Sequence, residues 1–140
     1  MKMTVEEFTS PVVVTVNAEA SLDDVFNLMQ SNNVRHVPVK VNEKIVGIIS
    51  ERDVLSHMGK NWAKMVKASD IMSTDLLTVY QNESIGRVAF MLSNNKIGSA
   101  LVLDTNDQVW GIFTTTDALN ALVEVFYDEA NELSDFKELS

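Results

Sequence analysis

The sequence predicts an α/β fold in which two β-α-β-β-α repeats pack with pseudo-two-fold symmetry into one module, and three observations predict it. An offset of 63 residues lays Ser21 over Ser84 and brings long stretches of the two halves into line. The heptad "GIISERD" (Gly47–Asp53) returns as "GIFTTTD" (Gly111–Asp117). Within each half, short β-branched runs alternate with apolar residues at helical spacing, as β-α units require.

Each half opens on a strand, "VVVTV" (Val12–Val16) over "DLLTV" (Asp75–Val79), with Thr15 on Thr78 and Val16 on Val79. A helix follows. Leu22, Val25, Phe26 and Met29 lie over Ile85, Val88, Ala89 and Leu92, and their i, i+3, i+4, i+7 spacing marks one buried stripe in each half. Ser21 with Asp24 predicts a capping box at the first helix start, whereas Ser84 has Arg87 three residues on. "SNNVRHVPV" and "SNNKIGSALVL" then read as a helix exit and a second strand. One inserted residue moves the offset to 64, so Gly47 pairs with Gly111. The polar turns "VNE" and "DTND" make hairpins into "KIVGIIS" and "QVWGIFT". A second helix begins after each heptad, with Val54 and Leu55 in one half and Ala118, Leu119, Leu122 and Val123 in the other. The last helix is expected to run to about Ala130.

A half of about 50 residues buries little apolar surface alone, so two copies sharing a core is the stable solution. The expected organisation is repeat one at 5–57, a connector at 58–67, repeat two at 68–126 and an acidic tail at 127–140. The connector carries Lys60, Lys64 and Lys67, with Trp62 and Met65 expected against the body.

Composition narrows the function. The chain has 140 residues, is 46% hydrophobic and 22% charged, and contains no cysteine, so neither a disulfide nor a thiolate metal site exists. Net charge is −9, which argues against a nucleic-acid backbone as partner. No run approaches a membrane span and the N-terminus lacks the apolar core of a signal peptide, so a cytoplasmic protein is expected. His36 and His57 do not make a metal set, and no Walker loop, dinucleotide fingerprint or Ser/His/Asp constellation is written. No metal, no catalytic residue and no tightly held cofactor are expected.

The heptads admit two readings. Ser50-x-x-Asp53 and Thr114-x-x-Asp117 each fit a capping box, which explains both copies without any ligand. A strand ending at a helix N-terminus also offers amides to an anion, and an aspartate there can accept from the hydroxyls of a ribose. The two uses are compatible.

The paired repeat resembles the CBS (cystathionine β-synthase) domain, and the chain is similar to a tandem CBS pair, or Bateman module, over about residues 5–126. The resemblance rests on "VVVTV…SLDDVFNLMQSNNVRHVPVKVNEKIVGIISERDVL" and "LLTV…SIGRVAFMLSNNKIGSALVLDTNDQVWGIFTTTDAL", with "ASDIMS" as the lead-in to repeat two and "VEEFTS" as a looser lead-in to repeat one. It implies a non-enzymatic regulatory module with two clefts for AMP, ADP, ATP or S-adenosylmethionine, a homodimer, and an unidentified partner protein that it regulates. One cleft would take Thr114, Thr116 and Asp117 with Thr15, Ala20, Arg35 and His36. The other would take Ser50, Arg52 and Asp53 with Thr78, Glu83, Gly98 and Ser99. The aspartates would hold ribose, Thr15 and Thr78 would support it, and backbone near 16–18 and 79–81 would read adenine. Arg35 and His36 become Gly98 and Ser99 in repeat two, and Arg52 becomes Thr116, so unequal affinities are expected. The rival is a ligand-free dimerisation or interaction module in which the heptads are only caps; a small nucleotide-directed enzyme is the remotest reading.

Overall fold

A computed structural model describes residues 3–59 and 63–127. In chain order it contains a 3-10 turn at Val5–Phe8, β1 (Ser10–Pro11), β2 (Val16–Asn17), α1 (Leu22–Asn32), β3 (His36–Val41), β4 (Lys44–Ser50) and α2 (Glu51–His57). After a second 3-10 turn at Ala63–Met65 come α3 (Ala68–Ile71), β5 (Leu77–Tyr80), α4 (Ile85–Asn95), β6 (Ser99–Leu103), β7 (Val109–Thr114) and α5 (Thr115–Phe126). The β-α-β-β-α order stands twice, as the sequence predicts.

The residues gather into two units, one of residues 12–76 and one of residues 3–11 with 77–127. In the first, β2 runs parallel to β3 and β3 antiparallel to β4. In the second, β5 runs parallel to β6, β6 antiparallel to β7, and β1 closes the far edge against β7. A parallel pair needs a crossover, and α1 and α4 supply it.

Each core is the helix stripe pressed on the sheet. Leu22, Val25 and Met29 of α1 bury against Val37, Val39 and Ile49, while Val88 and Leu92 of α4 bury with Ala100, Val102 and Phe113. Phe26, Ile85 and Ala89 are half-buried at the stripe margins. Ser21 accepts the Asp24 amide at 3.1 Å, the forward half of the expected capping box. Ser84 does the same for the Arg87 amide at 3.2 Å, because that bond needs only the backbone of the third helical residue.

Three expectations are corrected. The stretch Val12–Val16 is a strand only at its end: Val16 pairs with Val39 and Asn17 with Lys40, while 12–15 carry the chain from β1 to β2 with Val13 exposed. Its counterpart, expected at Asp75–Val79, lies at Leu77–Tyr80 and pairs along that whole length. Met65 is not tucked in but 81% exposed; Lys60 and Trp62 lie outside the described residues. The last helix ends at Phe126, since Tyr127 leaves helical geometry (φ −123, ψ 71). Of its predicted apolar residues, Leu119 and Leu122 are exposed, and the small Ala121 is the buried one. The tail from residue 128 lies outside the described residues.

The lead-ins are exchanged, which the sequence did not announce. The segment before repeat one packs on repeat two: Val5 N–H donates to the Glu83 carbonyl at 2.9 Å, Ile85 N–H to Met3 at 3.0 Å, and Val5 is fully buried. The segment before repeat two packs on repeat one in the same way. There Ala68 N–H donates to the Ala20 carbonyl at 2.8 Å, Leu22 N–H to Val66 at 3.1 Å, and Ala68 is fully buried.

Two smaller features yield predictions. Helices α1 and α4 both end on a residue in left-handed geometry, Asn33 (φ 52) and Lys96 (φ 55). Asparagine tolerates that region and lysine does not. Lys96→Asn is therefore expected to stabilise the protein by about 0.5–1 kcal/mol, read as a higher denaturant midpoint with an unchanged slope. Second, the Tyr80 hydroxyl donates to Asp107 Oδ1 at 2.6 Å, and this bond raises the phenol above its ordinary value of 10.0. A raised folded value favours the protonated form, so this contribution is present below the ordinary tyrosine range and is lost as pH rises through the raised value. Alkaline titration by phenolate absorbance in a Tyr127→Phe background should show a late Tyr80 transition that Asp107→Asn brings earlier.

Candidate functional site

Two equivalent half-sites form where a strand hands over to a helix. The β3–β4 ladder sets His36 opposite Ser50, and the β6–β7 ladder sets Ser99 opposite Thr114. One residue further on, the Glu51 amide donates to the Arg35 carbonyl at 2.7 Å, and the Thr115 amide to the Gly98 carbonyl at 3.1 Å. Thus in each unit the start of the second strand is bound to the start of the second helix. Arg35, His36, Ser50, Arg52 and Asp53 share one such corner; Gly98, Ser99, Thr114, Thr116 and Asp117 share the other.

Both capping boxes are present. Asp53 Oδ2 accepts from the Ser50 amide at 3.2 Å and the Ser50 hydroxyl at 2.8 Å, while Ser50 Oγ accepts the Asp53 amide at 3.2 Å. Asp117 Oδ2 accepts from the Thr114 amide at 2.8 Å and its hydroxyl at 3.1 Å, while Thr114 Oγ1 accepts the Asp117 amide at 3.3 Å. In both, a single carboxylate oxygen does the capping. Among the described residues, Oδ1 of each aspartate receives no hydrogen bond, so each half-buried carboxylate keeps an acceptor for another donor.

The amides tell a matching story. The first and third amides of each helix are already engaged, the first by the Arg35 or Gly98 carbonyl just before β3 or β6 and the third by the hydroxyl cap. By helix geometry the second, at Arg52 and at Thr116, is the one left to a ligand. One amide is a thin anion site, so an acidic ligand group here depends on nearby side-chain cations. Arg35 and Arg52 are exposed at the repeat-one corner. The repeat-two corner has Thr116 in the place of Arg52 and no arginine at 98 or 99.

The remaining predicted residues sit elsewhere in their units. Thr15 is half-buried just before β2, and Ala20 is half-buried before α1 with its carbonyl committed to Ala68. Thr78 is exposed on β5. Glu83 is half-buried before α4, its carboxylate 3.7 Å from Arg87 Nε. Among the described residues, no group of three or more His, Cys, Asp or Glu could hold a metal ion, and no helix is long and apolar enough to cross a membrane.

Sequence reasoning missed what the heptad glycines do. A Cβ on Gly111 would stand 2.5 Å from Thr9 Cγ2 and 2.7 Å from the Ser10 carbonyl oxygen. A Cβ on Gly47 would stand 2.5 Å from Met72 Sδ. Each glycine lets an exchanged lead-in cross its strand closely. The signal was there: a lone glycine in a β-branched run marks a close backbone approach.

Comparison with known proteins agrees with this geometry. The CBS domain profile matches residues 5–60 and 68–124. The uncharacterized protein MJ1232 of Methanocaldococcus jannaschii is 30% identical over 110 residues, covering 79% of this chain and 36% of that protein. The chain spans less than half the length of the first curated relatives it matches. Among solved structures, CBSX2 in complex with AMP is 25% identical, with a TM-score of 0.67 over 87% of this chain and 97% of that one. The CBS domain pair of protein MJ0100, in complex with 5′-methylthioadenosine and S-adenosyl-L-methionine, shares the fold with a TM-score of 0.74 at 24% identity, over 87% and 97% of the two chains.

Proposed function

This chain belongs to the CBS domain family, and from that premise we propose that it is a non-enzymatic regulatory module that senses an adenosine nucleotide or related adenosyl ligand. The observation that carries the reading is that Oδ1 of both Asp53 and Asp117 has no hydrogen bond among the described residues, each carboxylate being held by a capping box that uses only Oδ2. A pre-oriented acceptor of this kind suits the vicinal hydroxyls of a ribose. The AMP complex of CBSX2, at 25% identity, supports the ligand class.

In this reading Asp53, with Ser50 and Arg52, works with Arg35 and His36 at its own corner, and Asp117, with Thr114 and Thr116, works with Gly98 and Ser99 at the other. Thr15 and Thr78 support the ribose, and backbone near 16–18 and 79–81 reads the adenine edge. The ligand acts by binding one arrangement of a homodimer more tightly than another, and it can shift that balance only by the difference. A second copy is favoured as dimer partner by the exposed apolar residues Leu119, Leu122, Val125 and Phe126 of α5 with Phe90 of α4. The regulated protein is a further partner of this cytoplasmic module.

Calorimetry of the pure protein with AMP, ADP, ATP and S-adenosylmethionine tests the reading. Saturable heat with at least one of them is expected. No heat and no thermal shift at millimolar concentrations of any would sink it, and would leave the ligand-free interaction module standing.

A further inference from the structure

A groove of about 440 Å³ opens between the C-terminal half of α4 and the N-terminal end of α5. Its apolar lining is buried Leu92 with half-buried Ala89, Ile97 and Ala118. Its polar lining is Ser93, Lys96 and Thr115, all exposed. Among the described residues, no hydrogen bond or ion pair engages the Lys96 ammonium or the Ser93 and Thr115 hydroxyls. No acidic residue lines the groove, although the chain as a whole carries a net charge of −9. Apolar walls with a few convergent polar groups, at a volume in this range, are the usual form of a small-molecule site.

The internal repeat shows that the fold does not require this opening. The left-handed helix ends Asn33 and Lys96 correspond at an offset of 63, and the Glu51 and Thr115 amides, which donate to Arg35 and Gly98, correspond at 64. On that register Phe26, Gln30 and Arg35 stand where the groove has Ala89, Ser93 and Gly98, and Val54 stands where it has Ala118. Large side chains thus give way to small ones on three separate segments, and a Cβ on Gly98 would meet nothing within 4 Å. Charge changes with size. Thr115 replaces Glu51, which removes a carboxylate, and Gly98 replaces Arg35, so Lys96 is the one charged residue of the lining. That lysine stands at φ 55, where repeat one has an asparagine that tolerates the region better. Backbone strain of this kind gathers at ligand clamps.

We propose that this groove binds a small organic monocarboxylate with an apolar body. The body displaces water from Ala89, Leu92, Ile97 and Ala118, and the carboxylate pairs with Lys96, with the Ser93 and Thr115 hydroxyls as further donors. One ammonium balances one negative charge. A phosphate ester carries about two at neutral pH and would leave one unmatched beside apolar walls. Neither Asp53 nor Asp117 lines the groove, so the proposal does not rest on the nucleotide-sensing reading.

The test follows backbone amide signals of the full chain by NMR during titration with phenylbutyrate, octanoate and the uncharged phenylbutyramide. Saturable shifts are expected at Lys96, Ile97, Gly98 and Ala118, with phenylbutyrate binding about tenfold tighter than its amide, the scale of one charge-assisted hydrogen bond. Lys96→Asn, which should melt no lower than wild type, is expected to erase that preference and keep the apolar binding. Ala89→Phe writes the repeat-one residue into the groove and should abolish binding of all three probes. Ala118→Val makes a smaller intrusion from the facing helix, weakens binding, and serves if the larger substitution fails to fold. No saturable shift with either acid at millimolar concentration overturns the proposal. So does equal affinity for phenylbutyrate and its amide, or binding that survives the groove-filling variants and therefore lies elsewhere. Shifts of the same amides on raising the protein concentration alone assign the groove to a second copy and overturn it as well. Nucleotide calorimetry can succeed or fail independently of each of these results.

Discussion

Replacing Gly111 with alanine is expected to destabilise the protein by about 2–3 kcal/mol, the scale of forced overpacking in a close-packed core. The new methyl would lie 2.7 Å from the Ser10 carbonyl oxygen, which is backbone held by the β1–β7 pairing, and 2.5 Å from Thr9 Cγ2 in a buried side chain. Neither neighbour can swing away, so the lead-in must lift from its strand. Gly47→Ala provides the contrast. Its methyl meets Sδ and Cγ of Met72, at 2.5 and 2.8 Å, and a methionine side chain has three soft torsions with which to move. That variant should lose less than about 1 kcal/mol. Denaturant unfolding of the two variants side by side measures the difference; equal losses would mean that the lead-in at 9–11 is not held as firmly as its pairing implies.

The second large effect is on binding. Asp117→Asn and Asp53→Asn each keep a carbonyl oxygen that can accept the two capping bonds from Thr114 or Ser50, so stability should fall by less than about 1 kcal/mol. The other side-chain position becomes an amide NH2, which only donates and can no longer accept from a ribose hydroxyl. Ligand affinity at the affected site is therefore expected to fall by roughly 10- to 100-fold, the cost of a charged hydrogen bond together with an unsatisfied buried hydroxyl. Calorimetry on each single variant reads this site by site. Loss of stability without loss of binding would assign the aspartates to capping alone.

Much of the fold was legible because its signals are local. The stripe Leu22, Val25, Met29 states a helix and its buried face in eight residues, and Val88 with Leu92 repeats it. The capping boxes were legible for the same reason, since Ser50 and Asp53 are three residues apart. What local patterns could not carry was long-range pairing. Val12–Val16 has every strand-forming residue, yet a strand also needs a neighbour, and only Val16 and Asn17 find one. Val5 looked like the start of a loose lead-in to its own repeat; it is buried against the other repeat, where Glu83 offers its amide a carbonyl. The groove beside Lys96 was likewise invisible, since its small residues come from separate segments that only packing brings together.

The exchanged lead-ins also set an order of events during synthesis. Residues 12–76 hold both partners of every strand pair in their unit, so that unit can close while the rest of the chain is still being made. Residues 3–11 cannot follow suit. They are translated before residues 12–76, yet their partners at 83–85 and 111–112 are translated after them. Val5 and the two-residue strand behind it therefore wait unpaired while the whole intervening unit is made. Chaperone capture, or mispairing with a neighbouring nascent chain, is most exposed in that interval, at a segment made long before its partners.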